Sequence, residues 1–278
     1  MNRQIAPFVL TVAASLATGV SGHLNAAPAN EARVTHVKNQ VQLQDANNAR
    51  RRALVDSTVP EETIVRTGDG SRGELTFSDE TVVRLASHTA FDFNRGTRGL
   101  NLREGAVLIQ APKGARGATI RAGNIAAAVA GTTVMIEYHP DVYKVLVLEG
   151  TGRLYRPGHL GDSILVTAGQ MVIGNPDSAI SEPVDVDIDR FLKTSGFIKD
   201  FPPLPGEKSI VAESRKQQHE KSSKTLVGTN MVIFGGGTQV SVADQERPDA
   251  VDHKTAALAM PRRVPSLSPN AAPALPQN

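Results

Sequence analysis

The chain has 278 residues, of which 40% are hydrophobic but only 4% aromatic, and it contains neither tryptophan nor cysteine. The core must therefore be built largely from Val, Ile, Leu and Ala, and disulfide bonds, thiolate catalysis and cysteine-based zinc sites are excluded. With 30 basic and 28 acidic residues the formal net charge is +2, and this balance predicts no nucleic-acid partner.

Residues 1–27 show the three parts of a secretory signal. A positive charge at Arg3 precedes an apolar stretch over residues 5–20, and small residues around Ala27 provide a cleavage site. The apolar stretch is shorter than the roughly 20 residues that a membrane-spanning helix needs. We therefore expect a cleaved signal peptide, with an uncleaved anchor as the alternative, and a mature protein that is periplasmic or secreted.

Residues 31–174 have the pattern of many short β-strands. Apolar residues alternate with polar ones or form short runs, and glycine, aspartate or asparagine separates the runs. Residues 78–81 lie between two alternating segments and predict a hairpin, whereas residues 49–59 are compatible with a helical turn or another strand. The alanine run 126–128 has helical propensity, but glycines and strands on both sides favour a strand.

Glycines at positions 131, 150 and 169 recur at an interval of 19 residues. An interval of this kind is typical of coiled or stacked β architectures. The sequence thus predicts an all-β domain over residues 31–204 with its core at 64–174. The fold class is either coiled and solenoid-like or sandwich-like.

A short helix is predicted over residues 187–195. Asp187 and Asp189 suit its positive N-terminal end, Lys193 suits its C-terminal end, and Gly196 occupies the terminating position. The apolar side chains expected to dock this helix on the β domain are Phe191, Leu192, Phe197 and Ile198.

The composition changes after Leu204, where we expect the compact region to end. Residues 205–243 are assigned to a linker, whose polar part up to residue 224 is compatible with a marginal helix. Residues 231–234 and 239–242 are compatible with a hairpin. Residues 244–278 are rich in alanine and proline, which predicts a disordered tail.

An ordered set of short motifs in residues 32–174 resembles the FecR domain family. No single motif is specific, and the resemblance depends on their order and spacing. The motifs are Ile64-Val65-Arg66-Thr67-Gly68, Ser71-Arg72-Gly73-Glu74-Leu75-Thr76-Phe77, Asp79 with Thr81-Val82-Val83-Arg84-Leu85, Leu100-Asn101-Leu102-Arg103-Glu104-Gly105, Ala130-Gly131-Thr132, Val145-Leu146-Val147-Leu148-Glu149-Gly150 and Ala168-Gly169-Gln170.

This resemblance implies an all-β domain outside the inner membrane that takes part in protein–protein signalling, typically with the signalling domain of an outer-membrane transporter. The best-known family members carry a cytoplasmic anti-sigma segment and a membrane helix before this domain. Here four residues precede the apolar stretch of the signal, so we expect that the anti-sigma role does not carry over. Glu80 stands where the family usually has a turn glycine, which predicts a different turn type.

No metal-binding or nucleophilic motif is found in the sequence. The aspartates at 185, 187 and 189 resemble the start of an EF-hand loop, but the diagnostic glycine and glutamate are missing, which favours helix capping. Residues 158–163 bring a histidine, an aspartate and a serine close together, yet triads are assembled from residues distant in sequence. We expect no cofactor. The histidines without metal-site spacing are His23, His36, His88, His139, His159, His219 and His253.

Paired carboxylates over a glycan cleft are the main enzymatic alternative, because coiled β folds also occur in polysaccharide-cleaving enzymes. Two of the candidates precede a glycine in similar turn-like settings, and tryptophan for sugar stacking is absent. We therefore expect structural roles rather than catalysis. The candidates are Glu74, Asp79, Glu104 and Glu149.

The sequence predicts a non-enzymatic, exported FecR-like domain that binds an envelope or outer-membrane protein as a signalling or scaffold module. An exposed strand edge that accepts another strand is the expected mode of contact. A polysaccharide-active or polysaccharide-binding protein and a structural envelope or matrix component are the alternatives. The contact residues and the oligomeric state are left open. A basic series either meets an acidic partner or lies on solvated strand faces, and its members are Arg66, Arg72, Arg84, Arg95 and Arg98.

Overall fold

The computed structural model describes residues 31–94, 99–115, 117–220 and 226–227. The predicted signal peptide at 1–27, the predicted hairpin at 231–242 and the predicted tail at 244–278 lie outside these residues.

Seventeen short strands make up most of the described chain. They are β1 (Glu31–Lys38), β2 (Val41–Gln44), β3 (Arg50–Arg52), β4 (Thr58–Pro60), β5 (Ile64–Thr67), β6 (Arg72–Phe77), β7 (Val82–Leu85), β8 (Ala90–Asn94), β9 (Gly99–Gln110), β10 (Ala118–Ala122), β11 (Ile125–Val129), β12 (Thr133–His139), β13 (Val142–Glu149), β14 (Thr151–Tyr155), β15 (Ser163–Thr167), β16 (Gln170–Gly174) and β17 (Val184–Asp185).

The strands form two sheets that share β9. We call the first the covered sheet, with the order β4-β1-β6-β7-β9-β12-β13-β16-β17. The second is the open sheet, with the order β3-β2-β5-β8-β9-β10-β11-β14-β15. These pairs are antiparallel except β9 with β10. Strand β9 crosses between the sheets near Gly105, whose φ is +91°.

The two sheets bury a common apolar core between them. It includes Val34 and Leu75 from the covered sheet and Leu43 and Val65 from the open sheet, each at most 1% exposed. Alternating side chains point to opposite faces of a strand, so one face of each sheet supplies this core. The predicted all-β fold is confirmed, and its two facing sheets correspond to the sandwich-like form.

Local predictions within the β region are also confirmed. Strands β6 and β7 pair as the hairpin expected around residues 78–81, and the alanine run lies in strand β11 rather than in a helix. The segment left open at 49–59 contains the whole of β3 and the start of β4.

Three helices follow the strands: α1 (Ile188–Thr194), α2 (Gly196–Lys199) and α3 (Glu207–Glu220). The predicted N-terminal cap of α1 is confirmed, because the Asp187 carboxylate accepts a hydrogen bond from the backbone N–H of Arg190. The prediction that Gly196 terminates this helix was wrong. Ser195 ends α1 and caps α2 with its side chain, so Gly196 is the first residue of the next helix.

The helices cover the outer face of the covered sheet. Phe191 and Phe197 are fully buried there together with Leu108 and Leu146 of the sheet, and Leu192 and Ile198 are partly buried. The predicted docking is therefore confirmed. Burying one such phenylalanine contributes about 2 kcal/mol. Helix α3 lies in the range assigned to the linker, and its Ile210 packs in the same cluster. None of the described helices is long and apolar enough to cross a membrane.

Candidate functional site

Arg84 of the basic series lies inside the molecule, at 1% exposure. Its Nε donates to Oε2 of Glu74 at 2.8 Å, and its Nη1 donates to the carbonyl oxygen of Phe197 at 2.6 Å. Its Nη2 donates to the carbonyl oxygen of Pro202. The interpretations of Arg84 as a partner contact or as part of a solvated strand face were both wrong, because the helices cover the face from which it projects.

Two further members of the basic series are engaged within the molecule. Arg66 Nε donates to Oε1 of Gln44 at 2.8 Å. Arg72 donates to the hydroxyl of Ser87 at 2.7 Å and forms an ion pair with Asp200 at 3.2 Å. Arg95 and Arg98, the remaining members, lie outside the described residues.

A second buried ion pair, which the sequence reasoning missed, joins β12 to β13. Lys144 Nζ lies 2.9 Å from Oε2 of Glu137, and the two side chains are 1% and 2% exposed. Burial raises the pKa of Glu137, but Lys144 and the nearby His139 more than offset this and hold the pKa below its ordinary value. The signal for the pair was the hairpin register around Pro140 and Asp141, which places Glu137 opposite Lys144.

The four candidate carboxylates lie in four different settings. Glu74 is the partner of Arg84, and Asp79 caps the β6–β7 turn by accepting from the backbone N–H of Thr81 at 3.2 Å. Glu104 is exposed next to the crossing of β9. Glu149 ends β13 and accepts from the hydroxyl of Thr133 at 3.2 Å. These four separate settings do not indicate the pair of carboxyl groups, one acid and one base or nucleophile, that glycoside cleavage requires.

The side chains of residues 158–163 do not form a relay. His159 Nδ1 lies 3.3 Å from the carbonyl oxygen of Pro157. Asp162 pairs with Arg156 at 3.2 Å, and Ser163 accepts from Arg153 at 3.1 Å. Each of the three side chains thus contacts a different neighbour.

The aspartates that resemble the start of an EF-hand loop also make contacts within their own helix. Asp187 caps α1, and Asp189 pairs with Lys193 at 2.6 Å along the same helix. Among the residues that the structure describes, no group of three or more His, Asp or Glu side chains is placed to hold a metal ion.

The outer face of the open sheet carries a concentration of arginine. Cross-strand partners share a face, so the register places Arg52, Gln42 and Arg66 in one row and Asn101, Arg121 and Ala126 in another. The charged residues in the strands of this sheet are Arg50, Arg51, Arg52, Arg66, Asp92, Arg103, Glu104, Arg121 and Arg153. Arg51 is the cross-strand partner of the core residue Leu43 and therefore does not belong to this outer face.

The acidic residues of the open sheet weaken this positive charge little. Asp92 is buried and forms an ion pair with Arg103, whose side chain remains 55% exposed. Glu104 lies at the end of the open-sheet part of β9. The covered sheet differs, because its acidic and basic residues are equal in number and its buried ones form the pairs described above.

Strands β3, β4 and β15 are edge strands within the described part of the chain, since each pairs on one side only. Strand β15 alternates exposed and less exposed residues, and its Leu165 is 52% exposed. The β17 end of the covered sheet differs, because Val227 forms a parallel bridge with Val186 there.

The FecR protein family model matches residues 63–151, and no curated protein matches the chain. Two crystal structures of a candidate anti-sigma factor from Parabacteroides distasonis are similar to it. The structure at 1.65 Å is 14% identical, covers 46% of this chain and 64% of its own, and gives a TM-score of 0.40. The structure at 2.50 Å is 13% identical, covers 59% of this chain and 96% of its own, and also gives 0.40.

The chain therefore spans less than two thirds of the first of these two structures. The family match begins at the residue before β5 and ends at the first residue of β14. It includes Arg84, the crossing of β9 at Gly105, and the buried pair of Glu137 and Lys144. Residues 63–151 of this chain are thus similar to the FecR protein family.

Proposed function

We propose that this chain is an exported, non-enzymatic FecR-domain protein that binds another protein of the cell envelope in a signalling assembly. The FecR match over residues 63–151 is the observation that carries the proposal. The domain is the part of FecR regulators that takes part in protein–protein signalling, and a signalling role for this chain follows from that relationship.

The signal-like composition of residues 1–27 supports export. Arg3 precedes an apolar stretch and small residues, which is the order of a cleaved secretory signal. Export places the FecR domain in the periplasm or outside the cell, where its partner is an envelope or outer-membrane protein.

The structural roles of the acidic side chains support a binding role rather than catalysis. A glycosidase needs one carboxyl group with a raised pKa beside a second carboxylate. In this chain Glu74 is bound to the buried Arg84. Glu137 faces the buried ammonium group of Lys144, and its pKa lies below its ordinary value.

The test is capture of the partner by the full chain. The protein is expressed with its own N-terminal segment and a C-terminal affinity tag in a bacterium with an outer membrane, lightly cross-linked, purified and analysed by mass spectrometry. We expect one envelope protein in a fixed ratio to the chain. Deletion of residues 63–151 from the tagged chain is the control and should abolish recovery.

Two results would contradict the proposal. Recovery of the chain with itself alone would favour a structural envelope or matrix component. Turnover of an envelope glycan that is lost in Glu74→Gln or Asp79→Asn would favour a polysaccharide-active enzyme. Cell fractionation before and after removal of residues 1–27 tests export separately.

A further inference from the structure

Strand β15 has a free edge that lacks the protection found on the other two edge strands. Its sequence, Ser-Ile-Leu-Val-Thr, carries no charge and no proline, and Leu165 projects from it at 52% exposure. By contrast, β3 consists of three arginines and β4 ends in Pro60. Charged residues and proline on an edge strand hinder the addition of a further strand, whereas an apolar edge without them favours it. Strand β15 is therefore the edge at which a further strand is expected.

The backbone of Leu165 is oriented to pair with such a strand. At the end of the β14–β15 ladder, the N–H of Ala168 donates to the carbonyl oxygen of Gly150 at 3.0 Å. Bonded and non-bonded pairs alternate in an antiparallel ladder, so this bond assigns residues 164 and 166 to the pairs that bond to β14. Leu165 then points its N–H and its C=O away from β14. Among the described residues, no backbone hydrogen bond joins Leu165 to a segment on that side.

Val227, the last described residue of the chain, lies close to this edge. It forms a parallel bridge with Val186, and the N–H of Val186 donates to the carbonyl oxygen of Gly169 at 2.9 Å. Gly169 lies between β15 and β16, where the chain passes from the open sheet to the covered sheet. Neighbouring strands are about 4.8 Å apart, so Val227 is about 10 Å from Gly169, which follows the end of β15 by two residues.

The direction of the chain at Val227 leads toward the position beside β15. Strand β17 is antiparallel to β16 and therefore runs toward Gly169, and Val227 runs parallel to β17. After β17 the chain enters α1 on the outer face of the covered sheet, so among the described residues the position next to β15 is left without a strand. A chain that continues from Val227 into the open sheet runs antiparallel to β15.

The sequence around Val227 repeats the sequence at the neighbouring passage between the sheets. Leu148-Glu149-Gly150-Thr151 carries the chain from β13 in the covered sheet to β14 in the open sheet, and Gly150 has φ of +81° there. Leu226-Val227-Gly228-Thr229 has Leu, Gly and Thr at the same spacing. It is followed by Met231-Val232-Ile233-Phe234, an uncharged apolar segment with two β-branched residues and one aromatic residue, which is typical of a strand.

We propose that residues 231–234 add to β15 as a further antiparallel strand of the open sheet, after a passage between the sheets at Gly228. The four steps from Val227 to Met231 span about 13 Å in an extended chain, which covers the distance to the β15 edge. The short tether gives this segment a higher effective concentration at the edge than a strand of another molecule has. While the segment is docked, the β15 edge is closed to a strand of a partner or of a second copy. This inference does not depend on the proposed function.

Hydrogen exchange of the Leu165 amide in the full mature chain, followed by NMR, tests the backbone pairing. Because this N–H points away from β14, a strand added at the free edge is what would protect it. We expect Val232→Asp with Ile233→Asp to speed its exchange by about tenfold. Val251→Asp with Val264→Asp is the control, since it makes the same change in charge beyond the segment, and exchange should stay as in the unaltered chain.

Engineered disulfide bonds locate the segment, because the chain has no cysteine of its own. Directly opposed residues of antiparallel strands have Cα atoms about 4.5–5.5 Å apart, which a disulfide bond can bridge. Alternate side chains share a face, so the intramolecular yield at alternate positions of the segment should exceed that at the intervening ones by about threefold. The test variants combine Leu165→Cys in turn with Met231→Cys, Val232→Cys, Ile233→Cys and Phe234→Cys.

Leu54→Cys with the same four partners is the control for cross-linking. Leu54 is 61% exposed and lies between the edge strands β3 and β4, at the opposite end of both sheets, so it should give little intramolecular disulfide.

Three results would overturn the proposal. The first is fast exchange of the Leu165 amide in the unaltered chain, a measurement that needs no variant to fold. The second is an equal disulfide yield at all four positions of the segment, or an equal yield from Leu54→Cys and Leu165→Cys. The third is the formation of disulfide-linked dimers in place of the intramolecular bond, which would favour pairing of β15 between two copies of the chain.

Discussion

Arg84 and Glu74 form a buried ion pair that joins the covered sheet to the helical layer. The Nε–Oε2 distance is 2.8 Å, and the other guanidinium nitrogens donate to carbonyl oxygens that follow α1 in the chain, at Phe197 and Pro202. The second oxygen of Glu74 accepts from the hydroxyl of Thr35 at 2.8 Å. Burial lowers the pKa of Arg84, and Glu74 opposes this shift.

Arg84→Met should destabilise the protein by about 3 kcal/mol, because it leaves the Glu74 carboxylate buried without its cation. Urea unfolding at neutral pH, followed by circular dichroism, measures the change. Arg33→Met is the matched control. It removes an exposed pair with Asp56, whose side chains are 62% and 76% exposed, and should cost less than about 1 kcal/mol. Equal losses would show that the buried pair contributes nothing special.

Gly105→Ala should be among the most damaging single-methyl changes in the chain. At Gly105 φ is +91°, and a Cβ there would lie 2.5 Å from Oγ1 of Thr89 and 2.6 Å from the carbonyl oxygen of His88. Backbone strain and overlap together should cost about 3 kcal/mol.

Gly114→Ala separates the two causes. Gly114 has a similar φ of +96° with nothing within 4 Å of the added Cβ. Gly114→Ala should therefore lower the free energy of unfolding only by the cost of backbone strain, about 1 kcal/mol. Thermal or urea unfolding of both variants gives the comparison. A loss in Gly105→Ala no larger than in Gly114→Ala would contradict the close approach at the crossing of β9.

Glu80→Gly should stabilise the β6–β7 hairpin. Glu80 has φ of +65° in the turn, a conformation that costs an ordinary residue about 1–2 kcal/mol and glycine little. Greater freedom of glycine in the unfolded chain offsets part of this gain, so the net stabilisation should be about 0.5–1 kcal/mol. Ser78→Gly in the same turn is the control, because φ of Ser78 is not positive. It should destabilise, and stabilisation by both changes would refute the reasoning.

Local features of the fold could be predicted from the sequence, but the pairing of distant strands could not. Alternation of apolar and polar residues identified the hairpin, the strand at 126–128 and the all-β class, because these depend on neighbours within a few residues. The same alternation does not say which strands pair. The arginine face could not be predicted, since residues from 50 to 153 meet there only through the register of the open sheet.

The burial of Arg84 was hidden for a related reason. Alternation places it on the outer face of its sheet, and an outer face is normally solvated. The helices that cover this face come more than 100 residues later, as the Arg84–Phe197 contact with a sequence separation of 113 shows. The Glu137–Lys144 pair was within reach of sequence reasoning, because it follows from one hairpin register.

Glu137→Gln should lower the free energy of unfolding at neutral pH. The free energy of unfolding of the variant should also change less as the pH falls into the acid range. The folded-state pKa of Glu137 lies below its ordinary value of 4.5, so the unfolded chain binds the proton more tightly. The contribution of the carboxylate is complete above about pH 4.5 and is lost as the pH falls through the folded pKa. The variant leaves Lys144 buried without a carboxylate and should cost about 3 kcal/mol at pH 7.

Urea unfolding at several pH values between neutral and acid measures this effect. Glu104→Gln is the control, since Glu104 is exposed, and its stability curve should run parallel to that of the unaltered chain. A Glu137→Gln curve that also runs parallel would show that the carboxylate is not held in its ionised form.

Tyr143→Phe should leave stability at neutral pH within about 1 kcal/mol, because the Tyr143 hydroxyl is buried and accepts or donates no hydrogen bond among the described residues. Burial, with a smaller effect of Asp162, raises the pKa of Tyr143 to about 12. As the pH rises, the phenol of Tyr143 therefore loses its proton at a lower pH in the unfolded chain than in the folded protein. The stability contributed by the neutral phenol is complete below about pH 10 and is lost as the pH rises through about 12.

Alkaline difference spectroscopy can follow this group, since the chain has 3 tyrosines and no tryptophan. The last phenolate to appear should be missing in Tyr143→Phe, and alkaline unfolding should shift to higher pH. Tyr155→Phe is the control, because Tyr155 is partly exposed on the open sheet, and this variant should still show the phenolate of Tyr143. A spectrum in which Tyr143→Phe removes an early phenolate instead would mean that this hydroxyl is accessible to water in the folded protein.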